Sequence, residues 1–99
     1  LASPGAGLRH YLTYFRIQKF ATALLTAAAT PVIVTTTNLP GSMAFSLPAD
    51  AAAQGTTYSY QEDFAYPIAA SAQNTATTIV APATTAIIWR VSAGFYLNP

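Results

Sequence analysis

Large apolar residues alternate with small or polar ones along Gly41-Ser42-Met43-Ala44-Phe45-Ser46-Leu47, which is the period-two pattern of a strand with one buried face. Pro40-Gly41 and Pro48 bracket this strand and set its ends. The alternation returns, longer, near the end of the chain. Ile87, Trp89, Val91, Phe95 and Leu97 fall on one side and Thr84, Arg90, Ser92 and Tyr96 on the other, with Ala86, Ile88 and Gly94 diluting the polar face. At about 3.3 Å per residue, residues 84–97 span roughly 45 Å, and a bulge is expected near Gly94. The pattern assigns Phe45, Ile87, Trp89, Val91 and Phe95 to the core and turns Arg90 outward.

Residues 31–37 and 77–80 are rich in β-branched side chains and bounded by proline or polar turns, so they read as further strands; residues 56–60 read as a weaker one. Residues 8–26 are two-sided. Leu8, Tyr11, Leu12 and Phe15 fit one face of a helix, but Gln18 and Lys19 interrupt that stripe, and Tyr11-Leu12-Thr13-Tyr14-Phe15-Arg16-Ile17 has the composition of a strand, which is the reading adopted for residues 10–20. Residues 3–7, 50–55 and 61–75 read as loops. No repeat or linker divides the chain, which is predicted to be a single β-rich domain, or part of one, over residues 1–99.

Composition adds one constraint. Hydrophobic types make up 53% of the 99 residues and charged types only 7%, with a net charge of +1. Soluble domains carry about 25% charge, so a surface this short of it is expected to be covered by other chains. Residues 21–49 and 64–89 are uncharged and long enough to cross a bilayer, but Pro31, Pro40, Gly41 and Pro48 break the first, and Pro67, Pro82, Gln73, Asn74 and five threonines break the second. Neither reads as a spanning helix, and no membrane partner is expected. Cysteine is absent, which removes disulfides and thiolate metal sites. The chain opens on Leu1 without a leader pattern and reads as a fragment or a processed product.

Tyr14-Phe15-Arg16-Ile17-Gln18-Lys19-Phe20, a few residues after Tyr11, resembles the aromatic-Arg-Ile-x-Lys strand of jelly-roll capsid proteins from small non-enveloped icosahedral viruses. The turn at residues 35–38 and the strand Gly41-Ser42-Met43-Ala44-Phe45 leading to Asp50 are similar to the strand and acidic loop that follow in those shells. The likeness covers residues 11–50 and, generically, the final strand. It implies a mainly β fold, part of an antiparallel sandwich or jelly roll. A complete jelly roll has eight strands, and this chain supplies five or six, so it would be incomplete on its own.

Little in the sequence points to catalysis, and no enzyme is expected. His10, the only histidine, stands beside Arg9 and far in sequence from any acid. Glu62 and Asp63 are neighbours that point to opposite sides if extended, which does not suit paired acid-base work. The resemblance to calcium-bridged shells makes Asp50, Glu62 and Asp63 candidate ligands for a calcium ion. Arg9, Arg16 and Lys19, interleaved with Tyr11, Tyr14 and Phe15, are candidates together with Arg90 for contacts with packaged nucleic acid or a neighbouring subunit, although so few cations do not make a genome-packing arm.

The expected function is structural. The chain is expected to form part of a viral capsid shell in a virion, in contact with copies of itself and other capsid chains through β-sheet and apolar contacts. The alternative is a subunit of a fibre, pilus or surface layer at the extracellular surface, assembled by strand addition. A carbohydrate-binding domain using Tyr58, Tyr60, Tyr66 and Trp89 is a weaker third reading, because Trp89 sits in a buried-strand pattern.

Overall fold

The computed structural model describes residues 1–99 as six strands: β1 (Arg9–Ala21), β2 (Val32–Thr37), β3 (Ala44–Leu47), β4 (Thr57–Ala69), β5 (Thr78–Val80) and β6 (Ile87–Asn98). A single 3-10 turn, Pro40–Ser42, joins β2 to β3. The strands form two antiparallel sheets, a large one in the order β4-β1-β6 and a small one in the order β3-β2-β5. Every connection except β2–β3 passes from one sheet to the other, so the fold is mainly β and forms part of a sandwich.

β1 is the spine of the large sheet. Its inner face carries His10, Leu12, Phe15, Ile17, Lys19 and Ala21, all buried. These positions are even before Thr13 and odd after it, because Leu12 pairs with Phe95 and Ile68 while Tyr14 pairs with Gly94 and Asp63. Thr13 is the extra residue of a bulge that shifts the alternation by one. The same shift places Leu12 and Phe15 three apart, the spacing that also fits a helix. The bulge expected near Gly94 therefore lies on the partner strand. Gly94 has a different role: a Cβ there would run into the ring of Tyr14, which fills the space over the glycine on the outer face.

β4 corrects the reading of residues 61–75 as a loop, since the strand continues through Gln61, Glu62 and Asp63 to Ala69. Acidic residues are tolerated in it because it is an edge strand, where charge discourages further pairing. Opposite Thr13, four of its residues (64–67) bulge out of register, with Phe64 turned inward and Tyr66 left 87% exposed. Pro67, which has no N–H to offer a ladder, sits inside that bulge.

The buried core is Phe15 and Ile17 from the large sheet against Val34 and Leu47 from the small one. The Phe15 ring centroid lies 4.2 Å from that of Phe45, 5.6 Å from Phe64 and 6.0 Å from Tyr60. Phe45 and Trp89 pack against this cluster as expected, and Ile87 is half-buried. Val91 and Phe95 are not core residues: they are 40% and 45% exposed. They point to the inner side, but β5, the strand over that side, has only three residues and leaves them uncovered. Arg90 is exposed on the outer face, so Arg90→Ala is expected to change fold stability by no more than about 0.5 kcal/mol, measured by chemical denaturation.

Candidate assembly surface

Only 11 of the 99 residues are buried, although hydrophobic types exceed half of the chain, so much of the apolar side-chain surface lies outside the core. It concentrates on β6, where Ile88, Val91, Phe95, Tyr96 and Leu97 are all large and exposed. The two long edges of the large sheet differ in chemistry. On the β4 side, β3 lies above, and Phe45, Tyr60 and Phe64 close the gap between the sheets. Tyr60 Oη donates to Glu62 Oε2 at 3.0 Å, and that bond to a carboxylate pushes the phenol pKa up. On the β6 side the sandwich stands open, with a cavity of about 180 Å³ lined by Leu1, Leu12, Thr77, Ile79, Val91 and Ala93. β6 hydrogen-bonds only to β1, so its other backbone edge is unpaired, and its one charged residue is Arg90.

The candidate cations do not converge. Arg9 donates from a guanidinium N–H to the Ala70 carbonyl at 3.2 Å. The Thr13 bulge puts Lys19 on the inner face, 8% exposed, donating to the Pro48 carbonyl with Nζ 5.7 Å from the centre of the Tyr58 ring. It is therefore not a solvent-facing cation alternating with the buried side. Arg16 and Arg90 remain outward on one face, since Arg16 pairs with Ser92 and Gln18 with Arg90. Asp63 lies on the same face. Two cations offset by a carboxylate make a weak phosphate track.

Nor are the candidate calcium ligands brought together. Glu62 is turned inward to Tyr60, Asp63 outward beside Gln61, and Asp50 lies in the connection after β3. No group of three or more His, Cys, Asp or Glu side chains is placed to hold a metal ion. A shared cation would need oxygens from another copy. The four aromatic residues of the carbohydrate reading are also split, with Trp89 on β6 and the three tyrosines on β4, at opposite edges of the sheet.

The sequence reading did not foresee a buried polar clamp at one end of the sandwich. His10 Nδ1 and Thr77 Oγ1 lie 2.9 Å apart, both buried, and Asn38 Nδ2 donates to the same hydroxyl at 3.3 Å. Asn38, in the left-handed region at φ 59, also donates to the carbonyls of Ala72 and Thr75 and accepts from the Ala72 N–H. While it accepts from Asn38, the Thr77 hydroxyl can donate its own proton to His10 Nδ1, an arrangement compatible with the neutral imidazole. Burial, the largest cause, lowers the His10 pKa, and Phe95 lies edge-on to its ring at 5.3 Å. Because the folded-state pKa is depressed, the unfolded chain takes up the proton first, and stability should fall as pH drops below about 6.5. Denaturation midpoints between pH 8 and pH 5 check this, and His10→Gln should flatten the decline. The signal for this clamp was present in the turn-forming Asn38, but nothing in the sequence ties residue 38 to residues 10 and 77.

No helix is long and apolar enough to cross a membrane. No family model matches the chain, and comparison with curated proteins and solved structures found no match.

Proposed function

We propose that the chain is a structural subunit of a self-assembling shell of the viral-capsid type, joined to copies of itself and to other shell chains through sheet edges and apolar faces. The observation that carries this is β6: a twelve-residue edge strand with one unpaired backbone edge and exposed Ile88, Val91, Phe95, Tyr96 and Leu97, in a protein with only 7% charged residues. The two three-stranded sheets are compatible with a portion of a jelly roll, and the aromatic-basic β1 adds the likeness to capsid strands. Any role in packaging nucleic acid falls to Arg16 and Arg90, not to Arg9, which is held on the Ala70 carbonyl, or to the inward-turned Lys19.

A second reading is favoured by the same unpaired edge: strand addition head to tail would build an extracellular fibre or surface layer. Electron microscopy of the assembled protein separates the two. Closed particles support the shell, open filaments support the fibre, and a dispersed monomer at high concentration contradicts both.

A further inference from the structure

We infer that β6 is a two-fold interface, pairing antiparallel with β6 of a second copy about an axis through Ser92 to make a continuous six-stranded sheet. This rests on the assembly reading and specifies its partner.

Chemistry selects the edge. β4 carries Glu62, Asp63, the out-of-register residues 64–67 and Pro67, all of which obstruct an incoming strand, whereas β6 has no acid, no proline and no bulged residue of its own. Symmetry then limits the register. A two-fold axis perpendicular to the sheet must bring inner face to inner face, so odd residues pair with odd and even with even, and the axis passes through a residue. An axis through Arg90 opposes two guanidinium groups, and one through Val91 sets them diagonally, within roughly 7–8 Å. Axes through Ser92 or Ala93 keep the longest overlap within β6 and separate the two arginines.

Ser92 gives the better pairing. On the inner face, half-buried Trp89 meets the exposed Phe95 of the second copy, Ile87 meets Leu97, and Val91 meets Ala93, so the side chains that β5 leaves uncovered gain apolar neighbours. On the outer face, Ile88 meets Tyr96, and the two Ser92 hydroxyls meet each other. Arg90 comes opposite Gly94, the position where the ring of Tyr14 reaches across the glycine, with Tyr96 on the diagonal. The one cation of the edge thus faces aromatic rings and no like charge. With Ala93 on the axis, two small methyl groups meet at the inner centre and Ile87 loses its partner.

The chain has no cysteine, so single engineered thiols report the contact without background. Under mild oxidation of the full chain, Ser92→Cys is expected to give a disulfide-linked dimer as the main product, and Ser59→Cys, on the β4 edge, is expected to stay unlinked. A dimer through Ser59→Cys, or through Ala93→Cys in place of Ser92→Cys, overturns the assigned edge or register. Ser92→Cys protein that assembles but remains unlinked overturns the two-fold and leaves the shell reading standing. A chain that stays monomeric at every concentration overturns both.

Discussion

Phe15→Ala is expected to cost about 3–5 kcal/mol and to leave the chain unfolded or molten. Phe15 is buried at the centre of the sandwich, and its ring is the one that Phe45, Phe64 and Tyr60 all touch. A domain of this size is held together by a margin of about 5–15 kcal/mol, so the loss takes a large share of it. Trp89→Ala should cost less, although the strand pattern also assigns Trp89 to the core. Trp89 is only half-buried, and its indole N–H is held by the exposed Thr84 hydroxyl at 2.9 Å. Denaturant midpoints of the two variants rank them; a Trp89→Ala chain less stable than Phe15→Ala would move the core toward β6.

The second large effect should appear in assembly while the fold is retained. Val91→Lys with Leu97→Lys places two charges on the inner face of β6, where both native side chains are already 40% or more exposed. Lysine there can keep its ammonium in water, so the monomer should lose no more than about 1 kcal/mol. An incoming strand would have to bury or displace the same charges, and yield of assembled protein should fall at least about tenfold, equivalent to about 1.4 kcal/mol. Sedimentation of the variant and the parent checks the loss of assembly, and protease resistance checks that the fold is retained. Undiminished assembly with both lysines in place would remove β6 from the interface.

How far the sequence carries the fold depends on where alternation runs without interruption. β3 and β6 are continuous ladders, and their faces are legible: Phe45 and Leu47 on β3, Ile87 and Trp89 on β6, all point inward. β1 has its phase reset at Thr13, so a reading that carries one parity through the strand puts Lys19 outside, and the same reset imitates a helical stripe. β4 shows alternation in Tyr58, Tyr60, Glu62 and Phe64, but its acids and Pro67 carry loop composition, and only its position at an edge explains their presence in a strand. Burial of Val91 and Phe95 is a different kind of question. Alternation gives the side to which a residue points, whereas cover depends on the opposing sheet, and β5 is too short to provide it. The low charge of the sequence carries the expectation of a surface covered by other chains, but not which edge stands open; that β6 is the open edge is visible only in the fold.

Hydrogen exchange over residues 87–98, compared between assembled and dispersed protein, tests the central claim most directly. If β6 joins a strand of another subunit, its outward amides, which have no partner in the single chain, should be protected on assembly by at least about tenfold, while those bonded to β1 change little. Assembled protein in which those outward amides exchange as fast as in the dispersed chain would contradict the account.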